Sequence, residues 1–144
     1  MKDKLFIDTD VILDVLLNRK QHSLYSQKIL SLIETNKVEG YTSALIMANI
    51  FYIIRKIESH NKAIKAIEKI RAFITILPFT DKEIGEAVNA GFKDVEDGMQ
   101  YFIALNNNLD VIITRNIKDF NKSILKILTP QQYLNIQSIK KEIL

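Results

Sequence analysis

Short runs of apolar residues recur along this chain, and each one leads through a polar turn into a segment with helical periodicity. Leu5-Phe6-Ile7 and Val111-Ile112-Ile113 are the clearest of these runs. Runs of this length and composition are typical of strands that are covered on both faces, as in a parallel sheet. Strands that alternate with helices throughout predict an α/β fold, namely a three-layer α/β/α sandwich around a mostly parallel sheet of roughly five strands.

Capping signals and periodicity set the predicted boundaries of the elements. Thr80 and Glu83 fit a capping box, and Gly91 ends the helix that they open. Pro130 suits the first turn of a last helix. Strands are predicted at residues 5–7, 39–43, 74–79, 111–114 and 124–128, and helices at residues 11–17, 23–36, 45–57, 61–73, 80–90, 94–105 and from residue 130 onward.

The composition limits the classes of protein to which this sequence can belong. With 144 residues, of which 47% are hydrophobic, the chain is predicted to form one domain over residues 1–144. The absence of cysteine excludes disulfides, thiolate zinc sites and cysteine nucleophiles, and it fits a reducing cytoplasm. Since no apolar run spans a bilayer and no signal-peptide pattern opens the chain, we expect a cytoplasmic protein without a membrane partner. No GxGxxG, P-loop or GxSxG pattern occurs, which argues against dinucleotide binding, nucleoside-triphosphate binding and acyl transfer.

Two acidic residues follow the first apolar run directly. Asp8 and Asp10 are predicted to lie where the first strand turns into a helix, which is where ligands bind in parallel sheets. Thr9 or Asp10, and less readily Asp8, is also suited to cap that helix, and Asp14, one helical turn further on, is expected at the solvated surface or in a local hydrogen bond. Burying a carboxylate is unfavourable unless a cation or several donors compensate it, and Mg²⁺ or Mn²⁺ prefers oxygen ligands.

Further acidic residues stand at other strand and helix ends. Asp94 and Asp97 occupy the first turn of a predicted helix, where Asp94 is suited to be the N-cap, and Asp119 follows the strand at 111–114. Glu96 is expected to face solvent or a neighbouring base. A parallel sheet can bring such remote acids to one edge, where they would repel each other strongly without a cation. With Mg²⁺ bound, a cluster of this kind orients a phosphate and lowers the pKa of an attacking water.

Four sequence blocks carry a resemblance to a known family. The chain resembles the PIN-domain family, small metal-dependent ribonucleases that include the VapC-type toxins of toxin–antitoxin modules. The resemblance extends over nearly the whole chain, and the four blocks stand in the expected order. The first two blocks are residues 6–14 and residues 42–45. The third is residues 94–97 followed by residues 100–105, and the fourth is residues 113–116 with Asp119-Phe120.

The resemblance implies roles for particular residues. Asp8, Asp97 and Asp119 correspond to the catalytic, metal-binding acids, and Asn49 and Asn116 would assist them as metal ligands. The residues assigned to substrate binding or support of the site are Thr9, Asp10, Asp94, Thr114 and Arg115. The resemblance further implies Mg²⁺ or Mn²⁺ as cofactor, RNA as substrate and an antitoxin protein as partner. It also implies a homodimer. The apolar helix at residues 50–57 is expected either to form the contact face of that dimer or to belong to the core.

One departure from the family pattern keeps two alternatives open. Asn49 stands where the family usually has a glutamate in its third helix, and an amide offers a carbonyl oxygen but no charge, so metal affinity should be weakened. The chain is then alternatively an inactive PIN-like module that binds RNA or a protein. Asp8-Thr9-Asp10-Val11-Ile12 also resembles the signature of haloacid-dehalogenase phosphatases. Thr114-Arg115-Asn116 stands in place of the acidic pair that those enzymes need, which makes this second alternative the weaker one.

Overall fold

The computed structural model describes residues 1–120 and 124–143, and the side chains of residues 119, 142 and 143 lie outside that description. In this part of the chain, five strands form one sheet and seven α-helices surround it. The strands are β1 (Lys4–Ile7), β2 (Glu39–Ser43), β3 (Thr75–Leu77), β4 (Val111–Ile113) and β5 (Lys126–Leu128). The helices are α1 (Thr9–Leu16), α2 (Ser23–Glu34), α3 (Ala44–Ile57), α4 (His60–Arg71), α5 (Asp81–Ala90), α6 (Val95–Asn106) and α7 (Pro130–Ile143), with a short 3-10 helix at Ile117–Phe120.

The sheet is parallel throughout, in the order β3-β2-β1-β4-β5. The predicted three-layer α/β/α class is therefore confirmed, and the sheet has the expected five strands. In the centre, Leu5 of β1 is in register with Gly40 of β2 on one side and with Val111 of β4 on the other. The chain winds from β1 outward through β2 to β3 and then returns to the far side of β1 as β4. The border between β1 and β4 is thus the switch point at which ligands bind in folds of this kind.

The side chains at the centre of the sheet are fully buried. Leu5, Phe6 and Ile7 have no exposed surface, and neither have Ile112 and Ile113 beside them. The apolar runs were predicted to be strands covered on both faces, and this is confirmed. Burial of such side chains is the main favourable contribution to folding, at roughly 1.5–3 kcal/mol for each large side chain.

The helices form two groups around this centre. Helices α5 and α6 pack against each other, and α6 also contacts the 3-10 helix. Helix α1 packs against α2 and α3, α3 against α4, and α2 against α7. Along the described ranges, no helix combines the length and the apolar character needed to cross a membrane.

Most of the predicted helix signals are confirmed, with small shifts of the boundaries. The capping box of Thr80 and Glu83 is present, and Gly91 ends α5 with the left-handed backbone (φ 75°) that glycine adopts without strain. Asp94 is the N-cap of α6, as expected. The N-cap of α1 is Asp8, the less favoured of the candidates, and not Thr9 or Asp10. The strand predicted at 74–79 is shorter at both ends, and the strand predicted at 124–128 begins later than expected.

Candidate active site

A polar cavity of about 360 Å³ opens at the carboxyl edge of the sheet, and we refer to it as the acidic cavity. It brings together segments that are far apart in sequence, since Asp8 follows β1 while Asp97 stands in the first turn of α6. The expected meeting of these two acids at one edge is what the structure shows. The residues lining the acidic cavity are Asp8, Thr9, Asp10, Asn49, Tyr52, Ile53, Glu96, Asp97 and Asn116.

Asp8 is held by hydrogen bonds to both of its carboxylate oxygens. Its Oδ1 accepts from the backbone N–H of Thr9 at 2.8 Å, and its Oδ2 accepts from the hydroxyl of Thr114 at 2.8 Å. The backbone N–H of Asn116 donates to the same Thr114 hydroxyl at 3.1 Å. Thr114 is fully buried, and its expected role in substrate binding stays a prediction. Its position at the end of β4 makes it the support of Asp8, across the border between β1 and β4.

The environment of Asp8 disfavours its ionised form. Burial raises the pKa of the Asp8 carboxyl above its ordinary value, and the negative charges of Asp10 and Glu96 raise it further. The hydrogen bonds from Thr114 and Thr9 act in the opposite direction but do not cancel the effect of burial. The acidic cavity therefore concentrates negative charge that a bound cation would relieve.

Glu96 is the cavity residue that sequence reasoning missed. It was expected to face solvent or a base; it is exposed, but its Oε1 accepts a hydrogen bond of 2.9 Å from the side-chain amide of Asn49. This bond joins the middle of α3 to the first turn of α6 at the wall of the acidic cavity. The only sequence signal was the polar block that opens α6, and the sequence did not distinguish which of its three acids face the cavity.

A second amide orients a second acid. The side-chain amide of Asn116 donates a hydrogen bond of 3.0 Å to Oδ2 of Asp10. Asn116 lies beyond β4 and Asp10 in the first turn of α1, so this bond also crosses the border between β1 and β4. Both asparagines that were expected near the metal thus lie on the cavity wall, each paired with an acid.

Two of the predicted acidic site residues are not among the described residues that line the acidic cavity. Asp94 does not line the acidic cavity, and its Oδ1 accepts from the backbone N–H of Glu96 at 2.9 Å, which fixes the start of α6. Asp119 belongs to the 3-10 helix at Ile117–Phe120, and its side chain is outside the described part of the structure. Its role as a metal ligand therefore stays a prediction.

Arg115 lies beside the acidic cavity and is anchored from behind by Asp14. Its Nε is 3.0 Å from Oδ2 of Asp14, and Nη1 of Arg19 is 3.6 Å from the other oxygen. Ser26 of α2 donates a hydrogen bond of 3.2 Å to the same carboxylate. The expectation that Asp14 is solvated was wrong: its side chain is 0% exposed because α2 packs over α1.

The donor chemistry of the acidic cavity fits a hard divalent cation. Carboxylate and amide oxygens line it, with no nitrogen or sulfur ligand of the kind that zinc and copper prefer, among the described residues. Within that same set, no three histidine or acidic side chains already stand in a ready-made metal cluster. A cation would accordingly be held by a few side chains together with water, as is usual for Mg²⁺.

The fold and the cavity together define the class of this protein. It is a parallel α/β protein with an acidic, oxygen-lined cavity at the switch point of its sheet, which is where ligands bind in folds of this kind. A family model described as PIN domain matches residues 4–118. The chain belongs to the PIN-domain family.

Individual relatives have the same fold. Ribonuclease VapC1 of Aquifex aeolicus (strain VF5) is 28% identical over 136 residues, which cover 91% of this chain and 93% of that protein. Among solved structures, VapBC-1 of nontypeable Haemophilus influenzae has a TM-score of 0.68 at 20% identity and covers 89% of this chain and 98% of its own. VapBC2 of Rickettsia felis, bound to a promoter DNA fragment, has a TM-score of 0.67 at 17% identity, with 86% and 96% covered.

Proposed function

We propose that this protein is a metal-dependent endoribonuclease that hydrolyses RNA phosphodiester bonds, and that it is the toxin of a toxin–antitoxin pair. The observation that carries the proposal is the meeting of Asp8, Asp97 and Glu96 in one cavity of a PIN-domain chain. The name of the curated relative, a ribonuclease, supports the reaction. The two VapBC structures, and a toxin–antitoxin complex from Klebsiella pneumoniae that is also similar in fold, support the partner.

Mg²⁺ or Mn²⁺ is the cofactor that this proposal requires. Asp8, Asp97 and Glu96 would hold it, with Asn49, Asn116 and Asp119 as further oxygen ligands. When bound, such an ion neutralises charge on the phosphate and lowers the pKa of the attacking water.

Hydrogen bonds within the chain fix the orientation of the acidic side chains even without a bound ion. Thr114 and the backbone of Thr9 fix both oxygens of Asp8, so that this carboxylate keeps one orientation. Asn49 and Asn116 do the same for Glu96 and Asp10. Preorganised polar groups of this kind contribute to catalysis because they need not reorganise during the reaction.

A second candidate function follows from Asn49. If the uncharged amide in α3 leaves too little charge to hold a cation firmly, the protein is a PIN-like module that binds RNA or a protein without cleaving RNA. The hydrogen bond between Asn49 and Glu96 favours the ribonuclease, because it holds a carboxylate of α6 beside the uncharged amide of α3. The wall of the cavity thus carries a negative charge next to Asn49.

The decisive experiment measures cleavage of a labelled single-stranded RNA by wild-type protein, Asp8→Asn and Asp97→Asn. The reactions contain Mg²⁺ or Mn²⁺, or EDTA. Asp81→Asn is the matched control, because Asp81 also lies in the first turn of a helix but is exposed and outside the acidic cavity. We expect cleavage by wild type and the control only, and only with metal.

Other results would decide against the ribonuclease. Equal cleavage by all four proteins would identify a contaminant. RNA binding without cleavage by wild type would support the binding module. Turnover of a generic phosphate monoester, with RNA left intact, would support the phosphatase alternative. An antitoxin is tested separately by co-purification with the product of the neighbouring open reading frame, and a homodimer by the molar mass in solution.

A further inference from the structure

Two more grooves continue from the acidic cavity, and each shares a residue with its neighbour. The first, of about 270 Å³, shares Asn116 with the acidic cavity, and we call it the arginine groove. The second, of about 400 Å³, shares Tyr25 with the arginine groove, and we call it the lysine groove. The three therefore lie next to one another on the surface, and we refer to them together as the path. The arginine groove is lined by His22, Tyr25, Ser26, Arg115, Asn116, Thr129, Pro130 and Gln131.

The path starts at the carboxyl edge of the sheet and then follows two helices. Arg115 is the second residue after β4, and Thr129 is the first residue after β5, so the arginine groove lies on the same edge as the acidic cavity. The lysine groove continues between α2 and α7, which pack against each other. Lys28 on α2 and Lys141 on α7 stand on its two sides.

The sign of the charge changes along this path. The acidic cavity has four acidic side chains, and no basic side chain is found among its described lining residues. The two grooves have Arg115, Lys28 and Lys141, and their described lining includes no acid. Behind Arg115, two guanidinium groups share the single carboxylate of Asp14, which leaves an excess of positive charge next to the groove. Such a path attracts a polyanion whose scissile phosphate sits at the acidic end.

Tyr25 adds an aromatic ring at the junction of the two grooves. It is half-buried, and Nζ of Lys28 lies 6.0 Å from the centre of its ring. Proteins that bind single-stranded nucleic acids combine a basic groove along the backbone with aromatic rings on which bases stack. Both elements are present here within one turn of α2.

We propose that the arginine and lysine grooves are the track of a single-stranded RNA that extends from the acidic cavity. Arg115 contacts the phosphate next to the one that is cleaved, Tyr25 stacks on a base, and Lys28 and Lys141 contact later phosphates. This inference rests on the proposed ribonuclease function, because that function places a phosphodiester in the acidic cavity.

The test compares two double variants of equal charge. Lys28→Gln/Lys141→Gln removes both lysines of the track, whereas Lys62→Gln/Lys65→Gln removes two exposed lysines of α4 that line neither groove. Binding of a fluorescein-labelled 12-nucleotide oligouridylate is followed by fluorescence anisotropy in EDTA at several salt concentrations. For the track variant we expect weaker binding and a salt slope of log Kd that is smaller by about 1.4, because each lysine that neutralises a phosphate of a single strand adds about 0.7 to the slope. The control variant should keep the wild-type slope.

A second pair of variants tests the ring. Tyr25→Phe should bind the oligouridylate like wild type, and Tyr25→Leu should bind it several-fold more weakly at every salt concentration, because stacking is not an ionic interaction. Equal binding by both variants would overturn the stacking role.

The outcomes separate this inference from the function on which it rests. If wild type cleaves RNA but the two lysine double variants bind and cleave alike, the track is wrong and the ribonuclease stands. If binding depends on Lys28 and Lys141 but wild type never cleaves, the track stands and the ribonuclease is wrong. If the track variant no longer binds a fluorescein-labelled 12-residue polyglutamate but still binds RNA like wild type, the grooves receive an acidic protein segment and the RNA track is overturned.

Discussion

The side-chain amide of Asn49 donates a hydrogen bond of 2.9 Å to the carboxylate of Glu96. An uncharged residue of α3 and an acid of α6 thereby form one wall of the acidic cavity. In this wall the carboxylate belongs to α6, and the residue that α3 contributes is uncharged. This relationship has a direct consequence for metal binding.

We expect Glu96→Gln to weaken Mn²⁺ binding by about tenfold or more, since sites for hard cations draw their affinity from ligand charge. Glu68→Gln, which removes an exposed acid of α4, should leave the affinity unchanged. Isothermal titration calorimetry of the two variants with Mn²⁺ measures the difference without any need for RNA. Equal affinities in both variants would show that Glu96 takes no part in holding the ion.

Moving the charge to α3 should restore the site. In Asn49→Glu/Glu96→Gln the carboxylate and the amide exchange places across the same hydrogen bond, so Mn²⁺ affinity should return close to that of wild type. Asn49→Glu alone places two carboxylates face to face and should raise the dependence of stability on added Mn²⁺. The same titrations, together with thermal unfolding, report both effects. A double variant as weak as Glu96→Gln would mean that position 49 cannot contribute a ligand.

The buried hydroxyl of Thr114 should be needed both to hold the Asp8 carboxylate and to limit the rise of its pKa. Thr114→Val removes the donor to Asp8 and the acceptor of the Asn116 backbone N–H, and we expect a loss of about 1–3 kcal/mol in the free energy of unfolding. Because that hydrogen bond lowers the pKa of Asp8, its removal should also move the acid limit of Mn²⁺ binding to higher pH. Thr114→Ser keeps the hydroxyl and serves as the control. Urea unfolding and Mn²⁺ titration between pH 5 and 8 provide the comparison.

The raised pKa of Asp8 predicts how stability depends on pH. In the folded protein without metal, the ionised carboxylate is disfavoured relative to the unfolded chain, so its ionisation destabilises the fold at neutral pH. This penalty disappears as the pH falls through the folded pKa. Asp8→Asn should therefore unfold at a higher temperature than wild type at pH 8, and the difference should shrink toward acid pH. Thermal unfolding in EDTA across this range tests the sign, and a variant less stable than wild type at pH 8 would contradict it.

Local signals predicted that Asp8 and Asp97 stand at element ends, and the resemblance to the PIN-domain family supplied their predicted role as metal ligands. Asp8 ends a fully apolar strand, and Asp97 lies in a capped first helical turn, so the local pattern alone placed each at an element end. The pairing of Asn49 with Glu96 depends on how α3 and α6 are rotated toward each other. No local pattern encodes that rotation.

The burial of Asp14 was missed for a related reason. Asp14 lies one turn beyond Asp10 on a short helix, and only the packing of α2, with Ser26 facing α1, removes it from water. The order of the strands is equally nonlocal: β1 and β4 are separated by about a hundred residues, yet they are neighbours in the sheet. Whether a segment forms a strand or a helix could be predicted from the sequence. Which of these elements lie next to each other in the fold could not.

The two arginines beside Asp14 should differ in their effect on stability. Asp14 is fully buried, and Arg115 approaches it to 3.0 Å whereas Arg19 remains at 3.6 Å. Removing one partner of a fully buried pair typically costs about 3–5 kcal/mol, because the other charge is left without compensation. Here the effect should be smaller, since both arginine side chains are partly exposed and either one still compensates Asp14 when the other is removed.

We therefore expect Arg115→Gln to lower the free energy of unfolding more than Arg19→Gln. The double variant should lose more than the sum of the two single losses, because only then is the buried carboxylate left with Ser26 alone. Urea unfolding of the three variants and wild type forms a double-mutant cycle that measures this coupling. Additive losses, or a larger loss from Arg19→Gln, would show that the two arginines do not share Asp14 as their common partner.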